Sequence, residues 1–209
     1  MLQRKWSYRV AKRVFDIFLA VTLCPLLFPL LLALIALVRL SSKGPVFYRQ
    51  RRVGQNGRSF YLYKFRTMFH DSDSLLATHL EDRPDARREW EQYYKLRVDP
   101  RVTCIGATLR RTSLDELPQI INVLAGQMSF VGPRPIVQEE MSRYGKALPF
   151  YTAAKPGVTG LWQVSGRGKL SYETRVCLDV EYVKTWSLLK DLRVLLKTGA
   201  TVWRCEGAY

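Results

Sequence analysis

Between Ile17 and Val38 the chain runs for 22 residues without a charge, IFLAVTLCPLLFPLLLALIALV. No other feature restricts the molecule as much, because a helix of this length can cross the hydrocarbon core of a bilayer. Two features oppose a plain span. Pro25 and Pro29 each remove a backbone donor near the middle, where a helix should kink or break. Both flanks are basic, with five cations in residues 4–13 and five in residues 39–52. Positive loops stay in the cytoplasm, so a straight span would leave one cluster on the disfavoured side. A kinked helix that enters and returns through the same leaflet satisfies both flanks, provided the carbonyls freed at the kink find other donors. A bitopic anchor that tolerates its prolines is the alternative left open by these residues. A cleavable signal fits poorly, since no small-residue cleavage site follows.

The charge is lopsided. Lys and Arg number 33 against 18 Asp and Glu, a net +15. Residues 1–66 carry 13 of the cations and one acid, Asp16, whereas the remaining 143 residues carry 20 cations and 17 acids. No helix-turn-helix, zinc-finger or RNP pattern accompanies the charge, which argues against nucleic acid and for anionic lipid headgroups or phosphate substrates. With 209 residues, 47% of them apolar, the chain can bury a core, and a mean hydropathy of −0.12 is too polar for a many-span transporter. Cys24, Cys104, Cys177 and Cys205 lie far apart, so neither a disulfide scaffold nor a zinc site is expected.

Residues 46–53 and 59–66 read as strands joined through Asn56-Gly57. Alternation puts Arg49 and Arg51 on one face of the first strand, and Lys64 and Arg66 on one face of the second. If those faces align, four cations share a surface. Residues 71–98 are helix-prone, with a break at Pro84, and 114–124 read as one helix with an apolar stripe at Leu117, Ile120, Ile121 and Leu124. Leu188, Leu189, Leu192, Leu195 and Leu196 recur at helical spacing opposite Lys190, Arg193, Lys197 and Arg204. That helix suits a membrane interface or, equally, packing on the core.

Three stretches concentrate unusual chemistry. In Leu109–Pro118, an arginine pair precedes the adjacent carboxylates Asp115 and Glu116, a pattern suited to phosphate and metal. Ser113-x-x-Glu116 also matches a capping box, but Pro118 sits badly for that cap, which leaves Asp115 as an alternative cap. In Phe130–Pro135, prolines on both sides stiffen the backbone of Arg134, as befits a guanidinium that grips an anion in bidentate fashion. Lys155–Arg167, with three glycines, suits a loop that brings backbone donors to a ligand. His70 and His79 match no metal or triad spacing. Asp71-Ser72-Asp73 has the D-x-D form of metal-dependent glycosyltransferases, but no βαβ domain precedes it.

Taken in order, Lys12–Asp16, Gly44–Phe47 with Gln50, Tyr63–Met68, Leu109–Pro118, Asn122–Leu124, Met128–Pro135, Pro156–Gly160 and Gln163–Arg167 cover almost the whole chain. Together they closely resemble the bacterial monotopic phosphoglycosyl transferases, the initiating sugar transferases. The resemblance implies an α+β, mainly helical fold. Residues 1–43 would form the basic N-terminus and a re-entrant helix kinked at Cys24-Pro25, and residues 44–209 a cytosolic catalytic domain with a short hairpin and interfacial helices. It implies Mg2+-dependent transfer of a sugar-1-phosphate, with a hexose expected, from a UDP-sugar to undecaprenyl phosphate with release of UMP. This would be the first membrane step of exopolysaccharide, capsule or O-antigen synthesis, at the cytoplasmic face of the bacterial inner membrane, with homo-oligomerisation left open. Asp115 would be the nucleophile, forming an aspartyl-phosphosugar, and Glu116 would join it at the metal. Arg110, Arg134, Lys64, Arg66 and Arg167 would contact phosphate or substrate. The chain departs from the common pattern at Cys24, Gln127 and Lys155, where Ser, an acid and Arg are usual. The competing reading is a non-catalytic basic membrane scaffold, which explains the charge but not the pairing of Asp115-Glu116 with Pro133-Arg134-Pro135.

Overall fold

The structure is a computed structural model, described over residues 6–93, 96, 98–166 and 170–203. It is mainly helical. Helix α1 (Trp6–Ser41) continues unbroken through Pro25 and Pro29. Strands β1 (Phe47–Val53) and β2 (Ser59–Phe65) form an antiparallel hairpin. Helices α2 (Ser72–Asp82) and α3 (Pro84–Tyr93) follow, divided at Pro84 as expected. After them come α4 (Cys104–Thr112), α5 (Gln119–Leu124) and β3 (Ser129–Val131). Two short helices, α6 (Met141–Tyr144) and α7 (Leu148–Ala153), lead to β4 (Gly157–Thr159), which pairs in parallel with β3. Helices α8 (Leu161–Val164), α9 (Tyr172–Thr185) and α10 (Leu188–Trp203) complete the fold.

The hairpin turns where expected, with positive φ at both Asn56 (57°) and Gly57 (73°). Its register corrects the alignment of the four cations. Tyr48 faces Lys64 and Arg49 faces Tyr63, so Arg49 and Arg51 lie on the face opposite Lys64. Arg52, paired with Phe60, shares the Lys64 face instead. A second correction concerns 114–124, which is not one helix. Pro118 cannot donate within a helix, so the chain makes a single 3-10 turn at Leu114–Glu116 and starts α5 afresh at Gln119. Ser113 adopts a left-handed φ of 57° and its side chain caps nothing, so the capping box does not form. Asp115 is no cap either: its carboxylate is held by Lys64.

Both ends of α1 dock on the same folded body. Near its start, Lys12 Nζ meets Asp191 Oδ2 at 2.6 Å, and Arg13 donates to the carbonyls of Val123 and Leu124 at the end of α5. Asp16, only 1% exposed, accepts from Ser129 Oγ (2.9 Å) and Phe130 N (3.1 Å). Near its end, Leu34 and Val38 pack on Phe65 and Leu109. Between these anchor points the helix displays large apolar side chains, Phe18 at 68% and Leu26 at 71% exposure among them. Helix α10 buries Asp191 and Val194 but leaves Leu188, Leu189, Leu192 and Leu196 exposed, so most of its leucine stripe does not pack on the core. Arg204 lies outside the described residues.

Candidate active site

A cleft of about 950 Å3 runs between the hairpin, α4, the 3-10 turn at Leu114–Glu116, the Pro133–Pro135 segment, α8 and α9. Its chemistry starts at the turn forced by Pro118. That turn sets Asp115 against β2, where Lys64 Nζ lies 3.5 Å from Asp115 Oδ2 and 2.7 Å from Glu116 Oε1. Asp115 is 8% exposed, and burial pushes its carboxyl above the ordinary range, against the pull of Lys64 and with a smaller push from Glu116. Burial disfavours the Lys64 charge, but Glu116 and then Asp115 outweigh it, and the ammonium is held above its usual value. Lys64 is therefore a fixed cation shared by two carboxylates.

Arg110 reaches the same place because α4 lies hard against the segment that follows β2. A Cβ on Gly106 would come within 2.0 Å of the Thr67 carbonyl oxygen, so only glycine permits this approach. One turn on, Arg110 Nε donates to Thr67 Oγ1 at 2.9 Å, and its charge helps to stabilise the Asp115 carboxylate. Arg134 lines the cleft with its guanidinium 5.2 Å from the centre of the Trp162 ring.

Arg66 also borders the cleft, but its guanidinium donates to the carbonyls of Pro45, Val38 and Ser42. Those bonds tie the end of α1 to the hairpin, a structural use of a residue expected at phosphate. Arg167 lies outside the described residues. Cys24 is a free, part-exposed thiol on α1, far in sequence from the cleft residues. Sequence reasoning missed Arg52, Trp162 and Arg175, which all line the cleft. Parity with Lys64 would have found Arg52 had the register been known; nothing local distinguishes Arg175 from the other arginines. Among the described residues no group of three His, Cys, Asp or Glu side chains could hold a metal.

Residues 7–205, nearly the whole chain, match the family model described as bacterial sugar transferase. The chain belongs to the bacterial sugar transferase family. Among the similar family members is the exopolysaccharide production protein ExoY of Rhizobium meliloti, 50% identical over 96% of this chain and 88% of that protein. The undecaprenyl-phosphate galactose phosphotransferase of Salmonella typhimurium is 48% identical over 98% of this chain but 43% of its own length. A UDP-glucose:undecaprenyl-phosphate glucose-1-phosphate transferase of Xanthomonas campestris is 42% identical, covering 96% of this chain and 40% of its own length. This bacterial sugar transferase thus spans under half of the two relatives named for galactose and glucose transfer, and most of the one named for exopolysaccharide production.

Proposed function

We propose that the protein transfers a hexose-1-phosphate from a UDP-hexose to undecaprenyl phosphate, releasing UMP, through a covalent intermediate on Asp115. The observation that carries this reading is the buried Asp115 carboxylate, held beside Glu116 by Lys64 in a cleft that also carries Arg110 and Arg134. Burying a carboxylate is costly, and a membrane scaffold has no use for one in an arginine-lined cleft. A carboxylate nucleophile divides one difficult displacement into two easier ones, and the cations around it offset the repulsion between carboxylate and phosphate. The relatives named for galactose and glucose transfer support a hexose and a lipid phosphate acceptor. The test is purified protein with Mg2+, undecaprenyl phosphate and radiolabelled UDP-galactose or UDP-glucose, followed by lipid extraction. Labelled lipid with stoichiometric UMP is expected, and its absence with every UDP-sugar tried overturns the reading.

Asp115 and Glu116 suit Mg2+, which takes one or two carboxylates and completes its octahedron with phosphate oxygens and water. The bound ion would neutralise charge on the transferring phosphate. Lys64 holds both carboxylates in place and keeps Asp115 ionised. Because only the carboxylate attacks, kcat/KM should fall as acid protonates Asp115, at a pH above that of an ordinary aspartate. Lys64→Gln removes the charge that lowers the Asp115 value, so the acid limb should move to higher pH. A limb that stays put in this variant would separate Lys64 from Asp115 titration.

The docking of both ends of α1 supports a re-entrant membrane helix. Asp16 and Val38, 22 residues apart, are buried against one body, whereas a span would place the two ends of the apolar run on opposite membrane faces. We assign that body, with both basic flanks, to the cytoplasmic face of the inner membrane. In a background with Cys24, Cys104, Cys177 and Cys205 replaced, single cysteines at positions 9 and 43 should both resist a membrane-impermeant thiol reagent in whole cells. Labelling of either position from outside would establish a true span.

A further inference from the structure

The cations of the cleft fall into two groups. Lys64 is bound to Glu116 and Asp115, Arg66 to backbone carbonyls, Arg101 to Asp99 and Arg110 to Thr67. Arg134 and Arg175 have no ion pair among the described residues, and Arg52 has one at the limit of contact, 3.9 Å from Glu140. These three arginines come from distant parts of the chain, β1, the Pro133–Pro135 segment and α9. Two of them meet on one ring, the Arg175 and Arg134 guanidinium carbons lying 4.6 and 5.2 Å from the centre of the largely buried Trp162 indole, and Arg52 lines the same cleft. Arg52 is steadied by bonds from Nη1 to the Pro135 carbonyl (3.1 Å) and from Nη2 to Gln50 (2.6 Å). Among the described residues, the buried Arg52 Nε, Arg175 Nε and Trp162 Nε1 donors have no acceptor.

Three guanidinium groups are thus gathered with little to neutralise them. Burial first, and the Arg134 charge second, push both Arg52 and Arg175 below the usual arginine value. A buried acid, Asp179, accepts from the Tyr144 hydroxyl at 2.7 Å, and burial pushes its carboxyl up to about 7. With its ionisation so disfavoured, it compensates the cluster only in part. Cations held together in this way are stabilised by a bound anion with several oxygens, which guanidinium forks fit well.

We infer that Arg52, Arg134 and Arg175 form a phosphate-monoester subsite used twice in each turnover, first by the departing UMP and then by the arriving lipid phosphate. The inference rests on the two-step reading above. In the first step an Asp115 oxygen bonds to the sugar-bearing phosphorus, and the bond from that phosphorus to the UMP oxygen breaks, its electron pair leaving with UMP. In the second, a lipid-phosphate oxygen bonds to the same phosphorus, and the Asp115–phosphorus bond breaks, returning the pair to the carboxylate. In-line displacement places each leaving or entering oxygen opposite Asp115, so UMP and lipid phosphate occupy the same position in turn. Both are phosphate monoesters, and one set of arginines serves both.

The test uses Arg52→Gln and Arg175→Gln in the full chain in lipid nanodiscs, with Arg143→Gln as control; Arg143 stacks on Tyr172 outside the cleft. Three quantities are measured: equilibrium binding of UMP without turnover, exchange of labelled UMP into the UDP-sugar without lipid, and the KM for undecaprenyl phosphate. Each cleft variant should weaken UMP binding and raise both the UMP requirement of exchange and the lipid KM by roughly ten- to a hundredfold, the effect of losing one charged hydrogen bond. The control should change none of them. An effect on UMP alone, on lipid alone or on neither overturns the shared subsite. If one variant fails to fold, as judged by its melting temperature, the other decides, since the two residues sit on separate elements. Absence of exchange in the wild type, with UMP binding still dependent on the arginines, would instead remove the covalent intermediate and leave a nucleotide subsite only.

Discussion

Asp115→Asn should lower sugar-phosphate transfer by at least about a thousandfold, since under the proposed mechanism it removes the attacking oxygen while keeping the shape of the side chain. The same variant should melt no lower than the wild type at neutral pH. Burial holds the Asp115 carboxyl above its unfolded value, so the folded state binds the proton more tightly than the unfolded chain. The stability tied to that proton is present below the unfolded value and is lost as pH rises through the folded one. At neutral pH the ionised carboxylate is therefore a cost to the fold, which Asn does not incur, and Lys64 keeps Glu116 as its partner. Inactivity without loss of stability marks a residue retained for chemistry. Near-normal turnover, or inactivity accompanied by a collapse in melting temperature, would refute that assignment.

Asp191→Ala should produce the largest loss of stability. Asp191 is fully buried and accepts from Lys12 Nζ (2.6 Å), Tyr182 OH (2.7 Å) and Trp186 Nε1 (2.8 Å). Alanine removes the acceptor of three donors and leaves the Lys12 ammonium, itself mostly buried, without its carboxylate. Breaking one side of a buried pair costs about 3–5 kcal/mol, or roughly 6–20 °C in melting temperature for a chain of this size. Differential scanning fluorimetry in nanodiscs measures this directly. A shift below 2 °C, on the order of 1 kcal/mol, would mean that Asp191 does not hold α1 to the body. Asp191→Asn should lie between, since an amide oxygen in the place of Oδ2 still accepts from Lys12 and Trp186 but carries no charge.

What could be read from residue order was whatever depends on near neighbours. Alternation and Asn56-Gly57 located the hairpin, Pro84 separated α2 from α3, and Asp115-Glu116 stood out because adjacent carboxylates after two arginines have little structural purpose. All but one of the failures share a cause, a partner remote in sequence. Which face of β1 joins Lys64 depends on the cross-strand register, and that brought in Arg52 instead of Arg49 and Arg51. Arg66 looked free for phosphate because the carbonyls that occupy it belong to the end of α1 and the turn beyond it. Trp162 and Arg175 meet Arg134 only once α8 and α9 have packed. At Pro118 the local signal was present, but the apolar spacing of 114–124 overrode it; the missing N–H decides the outcome.

The Lys12–Asp191 pair joins residues 179 positions apart, close to the two ends of the described chain. That separation sets an order on biosynthesis. The apolar helix leaves the ribosome before the rest of this fold and must enter the bilayer while Asp191, Ser129 and the α5 carbonyls that will hold it are still to be made. Closing a loop of this length carries an entropic penalty that grows only slowly with length, and insertion of α1 reduces it by confining one end to the membrane surface. Helix α10, synthesised long after α1, therefore completes the foundation of that helix, and a nascent chain released before α10 would carry a membrane helix whose N-terminal half lacks one of its anchors.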